Sequence, residues 1–182
     1  MSVVQLSDML AHLNLTAGLD DTLIQAKIDA AEKWIETFTG LALLTQARTV
    51  HFDRFHRLEL PVRPVQSITS VSYLDNTLTS QTLAPDSYVA TPLNSEFDPT
   101  YLCPASGTRW PSTGSVKSAV TVTVEAGYGS DGANVPAPLV EAIKALVAHW
   151  YENREAALVG ITASELPFGL GDVLNQYRAW SF

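Results

Sequence analysis

The order of hydrophobic patterns along the chain is the feature that most limits its possible folds. Apolar residues recur at helical spacing near both ends, whereas residues 45–126 alternate between apolar and polar with the period of a β-strand. Amphipathic helices must bury their apolar stripes, so the helices of the two ends can pack together only if the middle is an insert. The sequence therefore predicts an α+β fold: a small bundle of N-terminal and C-terminal helices with an inserted antiparallel β-rich region.

The helices are predicted from apolar stripes and end signals. A short helix follows Ser7, a plausible N-cap, and Gly40 suits the end of a second, longer helix. A third helix begins at Pro136 or Pro138, where a missing N–H costs nothing. After a hinge at residues 166–169, a last short helix is predicted. The stripes of the second, third and last helices contain Ile24, Ile28, Ala31, Ile35 and Phe38; Leu139, Ile143, Leu146, Val147 and Trp150; and Leu170, Val173, Leu174 and Tyr177.

The middle of the chain contains short strands separated by proline and glycine. Val120, Val122 and Val124 alternate with polar residues, which is typical of a strand with one buried face. The predicted strands cover residues 49–52, 58–60, 65–74, 77–83 and 119–126. The predicted divisions of the chain are 1–44 for the N-terminal helices, 45–132 for the β-rich insertion, 133–165 for the long C-terminal helix with its hinge, and 166–182 for a C-terminal segment.

The negative net charge argues against binding to nucleic acid. The chain has 11 Lys and Arg against 19 Asp and Glu, a net charge of -8. Binding to DNA needs clustered basic residues, and the nearest approach to a cluster, between Arg48 and Arg63, is interrupted by Asp53 and Glu59. An acidic chain can still border DNA as the wall of a channel through which DNA passes without sticking.

Composition also bounds the compartment and the class. With 46% hydrophobic and 16% charged residues, the chain can bury a real core. It has no apolar run long enough for a membrane span, and its N-terminus lacks the pattern of a secretory signal. Cys103 is the single cysteine, so no internal disulfide is possible. We expect a soluble protein of a reducing cytoplasm.

No group of residues converges on an active site. His51, Asp53 and His56 have a spacing that suggests a metal site, but His56 lies on the other face of a strand and no further ligand is near in sequence. The Gly127-x-Gly129-x-x-Gly132 spacing resembles a phosphate loop, yet Asp131 would repel phosphate and the following helix begins too late. We therefore expect neither enzyme activity, nor a metal, nor a cofactor.

Aromatic residues are concentrated at the C-terminus. Phe168, Tyr177, Trp180 and Phe182 lie in the last part of the chain, largely outside any helix long enough to form a core. Exposed aromatic side chains dominate protein–protein contacts, whereas terminal residues that pack on nothing fray. Two interpretations remain open: this segment docks on another protein, or it folds back onto its own bundle.

Several segments, taken in order, resemble the phage head–tail connector family, the adaptor or head-completion group of tailed phages, prophages and gene transfer agents. The resemblance extends over nearly the whole chain, and it comes from the combination of segments rather than from one diagnostic motif. The matching segments are residues 20–24, 34–43, 61–68, 126–129, 135–139, 149–155, 166–169 and 177–180.

The resemblance implies a subunit of a ring, usually of twelve copies, beneath the portal protein. Such a ring extends the DNA channel, lets genomic DNA pass without specific binding and offers a surface to the stopper or tail-completion protein. It also implies that residues 166–182 reach the portal, with Phe168, Tyr177, Trp180 and Phe182 as the docking side chains. No membrane partner is implied, and the expected location is the virion head–tail junction, with the host cytoplasm before assembly.

Two alternatives stay open. The chain can instead be a stopper or tail-terminator component of the same junction. A different class of function is a small enzyme or ligand-binding module with its site in the β insert, which requires that His51, Asp53 and His56 converge in space.

Overall fold

The computed structural model describes residues 2–153 and 169–178. The chain divides into two compact units. The helical unit consists of residues 1–44 and 128–182, and the β unit consists of residues 45–127. Four helices and two antiparallel sheets among the described residues confirm the α+β class.

The helical unit contains α1 (Leu6–His12), α2 (Asp21–Thr39), α3 (Ala137–Glu152) and α4 (Leu170–Tyr177). Its core is formed by the predicted stripes of α2 and α3, whose members Ile24, Ile28, Ala31, Ile35, Leu139, Ile143, Leu146 and Val147 are buried. Gly40 ends α2 in the left-handed conformation, with φ 74°, and its N–H donates to the Glu36 carbonyl at 2.9 Å. The helical pattern of the sequence is therefore confirmed here.

The prediction that Ser7 caps α1 is wrong. The helix begins one residue before Ser7, after Gln5, whose carbonyl accepts from the N–H groups of Asp8 and Met9. The chain enters the helix early because the preceding residues are already fixed: Val3 and Val4 are buried and their N–H groups donate to Glu32 of α2.

The β unit holds a four-stranded sheet and a three-stranded sheet. The first has the strand order β1-β7-β3-β4 and the second β2-β6-β5, and all pairs are antiparallel. The strands are β1 (Gln46–Phe52), β2 (Leu58–Leu60), β3 (Val65–Leu74), β4 (Ser80–Thr82), β5 (Tyr88–Thr91), β6 (Thr100–Pro104) and β7 (Val120–Ala126).

Strand β7 is the centre of the larger sheet, between β1 and β3. Val120, Val122 and Val124 are buried, as their alternation predicts. Strand β4 is shorter than the predicted 77–83, because Asp75 and Thr79 belong to the turn before it. Strands β5 and β6 were not predicted, since their residues lie among prolines that indicate loops.

The chain passes between the two units twice, and in each unit the residues next to these two crossing points are paired through their backbones. In the β unit, Gln46 at the start of β1 is the pairing partner of Ala126 at the end of β7. In the helical unit, the Tyr128 N–H donates to the Leu43 carbonyl at 3.2 Å. The insert thus begins and ends at one antiparallel pair.

Among residues 2–153 and 169–178, no helix is both long and apolar enough to cross a membrane.

Candidate functional site

Helix α4 carries the part of the predicted docking segment that the structure describes. It begins after Gly169, which has φ 85°, and it ends at Tyr177. Leu170 and Leu174 are buried in the core of the helical unit, and Leu174 has no exposed surface. The short helix is therefore held on the bundle by its own apolar face.

Of the four predicted docking residues, only Tyr177 belongs to the described part of the chain. Its side chain is partly buried and packs against the core of the helical unit. Phe168, Trp180 and Phe182 lie outside the described residues. The docking role of these four side chains stays a prediction.

The end of α4 lies against an aromatic pair on α2. Trp34 and Phe38 are one helical turn apart, and their rings stack with centroids 5.1 Å apart at an angle of 11°. The guanidinium carbon of Arg178 lies 5.3 Å from the centroid of the Phe38 ring. Tyr177 is the last helical residue, and Arg178 has extended backbone angles of -72° and 135°. We call Trp34, Phe38 and Arg178 the aromatic platform.

An exposed leucine pair near the start of α2 was not identified from the sequence. Leu19 is fully exposed and Leu23 is 38% exposed. The loop that presents them is fixed, because the Tyr151 hydroxyl donates to Asp20 at 2.6 Å and the Gly18 N–H donates to Asp21 at 2.9 Å. The signal was present in the sequence, since Leu19 stands apart from the helical stripe, between a glycine and two aspartates.

The β unit presents its own exposed apolar side chains. Phe97 is 57% exposed in a loop whose backbone is held by the buried Arg63, which donates to the carbonyls of Glu96 and Phe97 at 3.1 and 2.8 Å. Val89 and Leu93 are also exposed. Phe97 lies between Glu96 and Asp98, outside any helical or strand pattern. The sequence analysis therefore did not identify it as an exposed apolar residue.

The hairpin between β3 and β4 is organised by one carboxylate. Asp75 accepts from the Thr77 and Thr79 N–H groups at 2.8 and 3.1 Å, from the Thr77 hydroxyl at 2.6 Å and from Gln81 at 3.0 Å. These hydrogen bonds, the Thr77 hydroxyl first, lower the pKa of Asp75 to about 2. The turn presents Leu78, which is 56% exposed and has φ 61°.

The structure does not bring His51, Asp53 and His56 together. His51 Nδ1 lies 3.1 Å from the Thr121 hydroxyl, and Asp53 accepts from the Ser118 N–H at 2.9 Å. His56 is exposed. Across residues 2–153 and 169–178, no three His, Cys, Asp or Glu side chains form a cluster that could hold a metal ion.

Gly129 and Gly132 lie where a side chain would not fit, and Gly127 has a positive φ of 136°. A Cβ on Gly132 would overlap the Val3 carbonyl, and one on Gly129 would lie 2.6 Å from the Asn134 side chain. Asp131 accepts from the Ala133 N–H at 3.2 Å and thus caps the 3-10 turn Gly132–Asn134. This loop therefore fixes the N-terminal segment and places a carboxylate where a phosphate would need amide donors.

Comparison with known proteins points to one family. The family model described as phage gp6-like head-tail connector protein matches residues 3–88 and 112–178, well over half of the chain. No match was found among curated proteins.

Solved structures share the fold at low sequence identity. The virion of native gene transfer agent (GTA) particle contains a chain with TM-score 0.77 and 22% identity, and the match covers 99% of this chain and 91% of that one. A chain of the neck of empty GTA particle computed with C6 symmetry has TM-score 0.76 and 22% identity, and the match covers 99% of this chain and 91% of that one. A chain of the neck of native GTA particle computed with C12 symmetry has TM-score 0.74 and 21% identity, and the match covers 97% of this chain and 89% of that one.

Proposed function

Since the chain belongs to the phage gp6-like head–tail connector protein family and is a connector subunit of the head–tail junction, we propose that it forms a ring beneath the portal. The family match over residues 3–88 and 112–178 carries this proposal, and it confirms the resemblance found in the sequence. The ring extends the DNA channel and joins the head to the stopper or tail-completion protein. Connector families are structural in kind, so the proposed role requires no catalysis.

The proposed ring consists of twelve copies. Support comes from the solved chains of the same fold, which belong to particle necks computed with C6 and C12 symmetry. Identical subunits that contact each other head to tail close into a ring when the rotation permits. The expected location of the assembled ring is the virion neck. Before assembly, the free subunits are expected in the host cytoplasm.

Genomic DNA passes through the lumen of this ring without specific binding. The net charge of -8 favours such a wall, because it repels phosphate groups.

The portal contact is assigned to the C-terminal segment. Phe168, Tyr177, Trp180 and Phe182 supply aromatic anchors of the kind that dominate protein interfaces. Leu170 and Leu174 are core residues of the helical unit and are therefore not assigned to the portal contact. The assigned residues precede α4 in the sequence (Phe168), end it (Tyr177) or follow it (Trp180 and Phe182).

The test replaces Trp180 and Phe182 together by alanine and measures binding to purified portal by calorimetry. Deleting the whole segment 166–182 is unsuitable, since it also removes Leu174 from the core. We expect the double variant to bind at least about tenfold more weakly, because hot-spot aromatics contribute about 2 kcal/mol or more.

Phe97→Ala is the matched control, because it removes an exposed aromatic side chain of the β unit. It should leave portal binding unchanged. Equal binding by the double variant and the unaltered chain would refute the docking assignment. An imaged particle in which the protein does not lie directly beneath the portal would favour the stopper or tail-terminator alternative.

A further inference from the structure

We propose that neighbouring subunits of the ring contact each other through two different patches: the leucine knob of one copy binds the basic end of the β unit of the next. The leucine knob consists of residues 19–23, at the start of α2. The basic end consists of the segments 53–57, 109–110 and 115–118. This inference rests on the proposed ring, and it names the surfaces that join its subunits.

The six Lys and Arg residues of the β unit divide into two groups. Four are exposed, and these are Arg54, Arg57, Arg109 and Lys117. Arg48 is only partly exposed, and Arg63 is buried. All four exposed residues belong to the basic end, so the accessible Lys and Arg charge of residues 45–127 is concentrated there.

Two sets of contacts hold the segments of the basic end together. The Ser118 N–H donates to Asp53 at 2.9 Å, and this bond joins the turn after β1 to the turn before β7. The Phe55 ring stacks on Trp110 with centroids 4.7 Å apart, and it meets Tyr73 edge-on at 5.5 Å. The cations are therefore presented around a fixed aromatic centre rather than on separate loops.

The basic end offers both positive charge and apolar surface to a partner. The carboxylates nearby are already engaged: Asp53 accepts from the Ser118 N–H, and Glu59 lies 3.3 Å from the Arg57 guanidinium. Val116, which is 37% exposed, adds apolar surface to the turn before β7. A partner that combines an apolar anchor with negative charge therefore fits this end.

The leucine knob has both of these properties. Leu19 is fully exposed and Leu23 is 38% exposed, and two aspartates lie between them in the sequence. Both aspartates accept hydrogen bonds, one from the Tyr151 hydroxyl at 2.6 Å and the other from the Gly18 N–H at 2.9 Å. A loop that is already fixed loses little conformational entropy on binding, so the exposed leucine is suited to a protein partner.

The charges of the two units identify the partner as a second copy. The helical unit has five Lys and Arg against twelve Asp and Glu, and the β unit has six against seven. The net charges are therefore -7 and -1, and the leucine knob belongs to the strongly acidic unit. Complementary charge steers two surfaces together and fixes their register. Because the two patches differ, each copy offers one of each, and such head-to-tail contacts close into a ring when the rotation permits.

Phe97 forms a rival acidic and apolar patch, because it is 57% exposed between Glu96 and Asp98. It belongs to the β unit, whose net charge is only -1. A basic surface is attracted by the summed charge of its partner within about 10 Å, so the unit with charge -7 is favoured. Phe97 is therefore the reference position for variants of the knob.

The first experiment detects the contact between copies of the full chain by NMR. An isotope-labelled chain is titrated with unlabelled chain in roughly 50 mM salt, where attraction between exposed charges is screened little. We expect the amide signals of residues 18–23, 53–57 and 115–118 to move together as the concentration rises, and added salt to reverse the movement. Signals that stay in place up to roughly 1 mM overturn the proposal. Movement at residues 96–98 without movement at 18–23 overturns it as well.

Two variants alter the two patches separately. Leu19→Gln removes the apolar anchor, and Arg54→Glu with Lys117→Glu reverses the charge of the basic end. Each should weaken the self-contact at least about tenfold, by loss of an anchor in the first case and by like-charge repulsion in the second. The same NMR titration gives the dissociation constant, and unchanged thermal midpoints show that the variants are folded.

Each variant has a matched control. Phe97→Gln makes a similar exchange at an exposed apolar residue of the β unit, and Lys33→Glu with Lys144→Glu makes the same change of net charge on the helical unit. Neither control should weaken the self-contact by more than about twofold. Controls that weaken it as much as the variants overturn the proposal, because the effect then comes from total charge or from any exposed apolar side chain.

A mixture of the two interface variants tests whether the patches bind each other. The Leu19→Gln chain keeps its basic end, and the chain with Arg54→Glu and Lys117→Glu keeps its leucine knob. We expect the mixture to form pairs of one chain of each kind and no larger species, although neither variant pairs with itself. Analytical ultracentrifugation measures the size of the species. A mixture that stays monomeric overturns the proposal, because the two patches are then not partners.

The result for this contact is separable from the result for the ring. An imaged neck that contains a ring of this protein, together with no contact in the mixture, refutes the contact and leaves the ring standing. Contact in the mixture, together with no ring in the neck, refutes the ring and leaves the contact standing. Signals of the basic end that move with duplex DNA and not with a second copy would assign this end to nucleic acid and overturn the proposal.

Discussion

Gly132 is a position where one additional carbon atom is not tolerated. The residue is buried, and a Cβ would overlap the carbonyl of Val3, a backbone atom that cannot rotate away. The loop from Gly127 to Gly132 therefore keeps the N-terminal segment close.

Gly132→Ala is expected to lower the free energy of unfolding by about 1–3 kcal/mol, as overpacking does. Gly18→Ala is the control, because its Cβ would meet only the Thr16 carbonyl at 3.9 Å. Urea unfolding of the two variants measures the difference. Equal stabilities would show that the N-terminal segment yields.

This glycine also shows the limit of sequence analysis at the residue scale. The spacing of Gly127, Gly129 and Gly132 is visible in the sequence, and Asp131 argues against a phosphate site there. The partner of Gly132 is Val3, near the start of the sequence, and no local pattern contains that contact.

Asp75 makes the stability of its hairpin depend on pH. Its pKa is lowered from 3.8 to about 2 in the folded chain by hydrogen bonds from Thr77, Gln81 and Thr79. A carboxyl whose pKa is lower in the folded state stabilises it above the unfolded pKa, and this contribution is lost as the pH falls towards about 2.

Asp75→Asn should therefore lower the thermal midpoint at pH 7, and the difference from the unaltered chain should shrink between about pH 4 and pH 2. Asp86→Asn is the control, since the Asp86 side chain is exposed. A difference that stays constant down to pH 2 would exclude the carboxylate as its source.

At the scale of elements, the sequence predicts those helices and strands in which apolar residues recur at a regular spacing. The stripes of α2 and α3 and the alternation of β7 are long enough to be recognised, and the structure follows them closely. Strands β5 and β6 have four and five residues and adjoin prolines, so no period could emerge. The aromatic platform was equally hidden, because it forms only when α4 packs near Phe38.

The N-terminal segment is tied to α2 by one side chain. Glu32 Oε1 accepts from the Ser2 hydroxyl at 2.6 Å and from the Val3 and Val4 N–H groups at 2.7 and 3.1 Å. A carboxylate that satisfies several donors at once fixes the entry into α1.

Glu32→Ala should cost about 1–3 kcal/mol, because two backbone N–H groups lose their partner. Glu32→Gln keeps an acceptor oxygen and should lose less. Asp29→Ala, on the exposed side of the same helix, should stay within about 0.5 kcal/mol. Denaturant unfolding measures the loss of unfolding free energy in each of the three variants. If Asp29→Ala showed the largest loss, Glu32 would not be the residue that holds the N-terminal segment on α2.

For the whole molecule, the charge is divided unevenly. The helical unit has five Lys and Arg against twelve Asp and Glu, whereas the β unit has six against seven. The acidic character of the chain is thus almost entirely a property of the helical unit.

The chain should not bind duplex DNA even at low ionic strength, where phosphate contacts are strongest. We expect the fluorescence anisotropy of a labelled duplex to stay constant on titration in roughly 50 mM salt. A basic DNA-binding domain of similar size serves as the positive control. A rise in anisotropy that salt removes would contradict the proposed non-adhesive wall.

The crossing between the units has a genetic consequence. Gln46 and Ala126 are paired, and so are Leu43 and Tyr128 through their backbones. Partners in an antiparallel pair lie about 5 Å apart, so removal of the 45–127 stretch leaves a gap that a few residues can bridge. Residues 45–127 therefore form one piece that can be cut out of the gene or replaced as a whole, because the two flanking ends of the chain already meet.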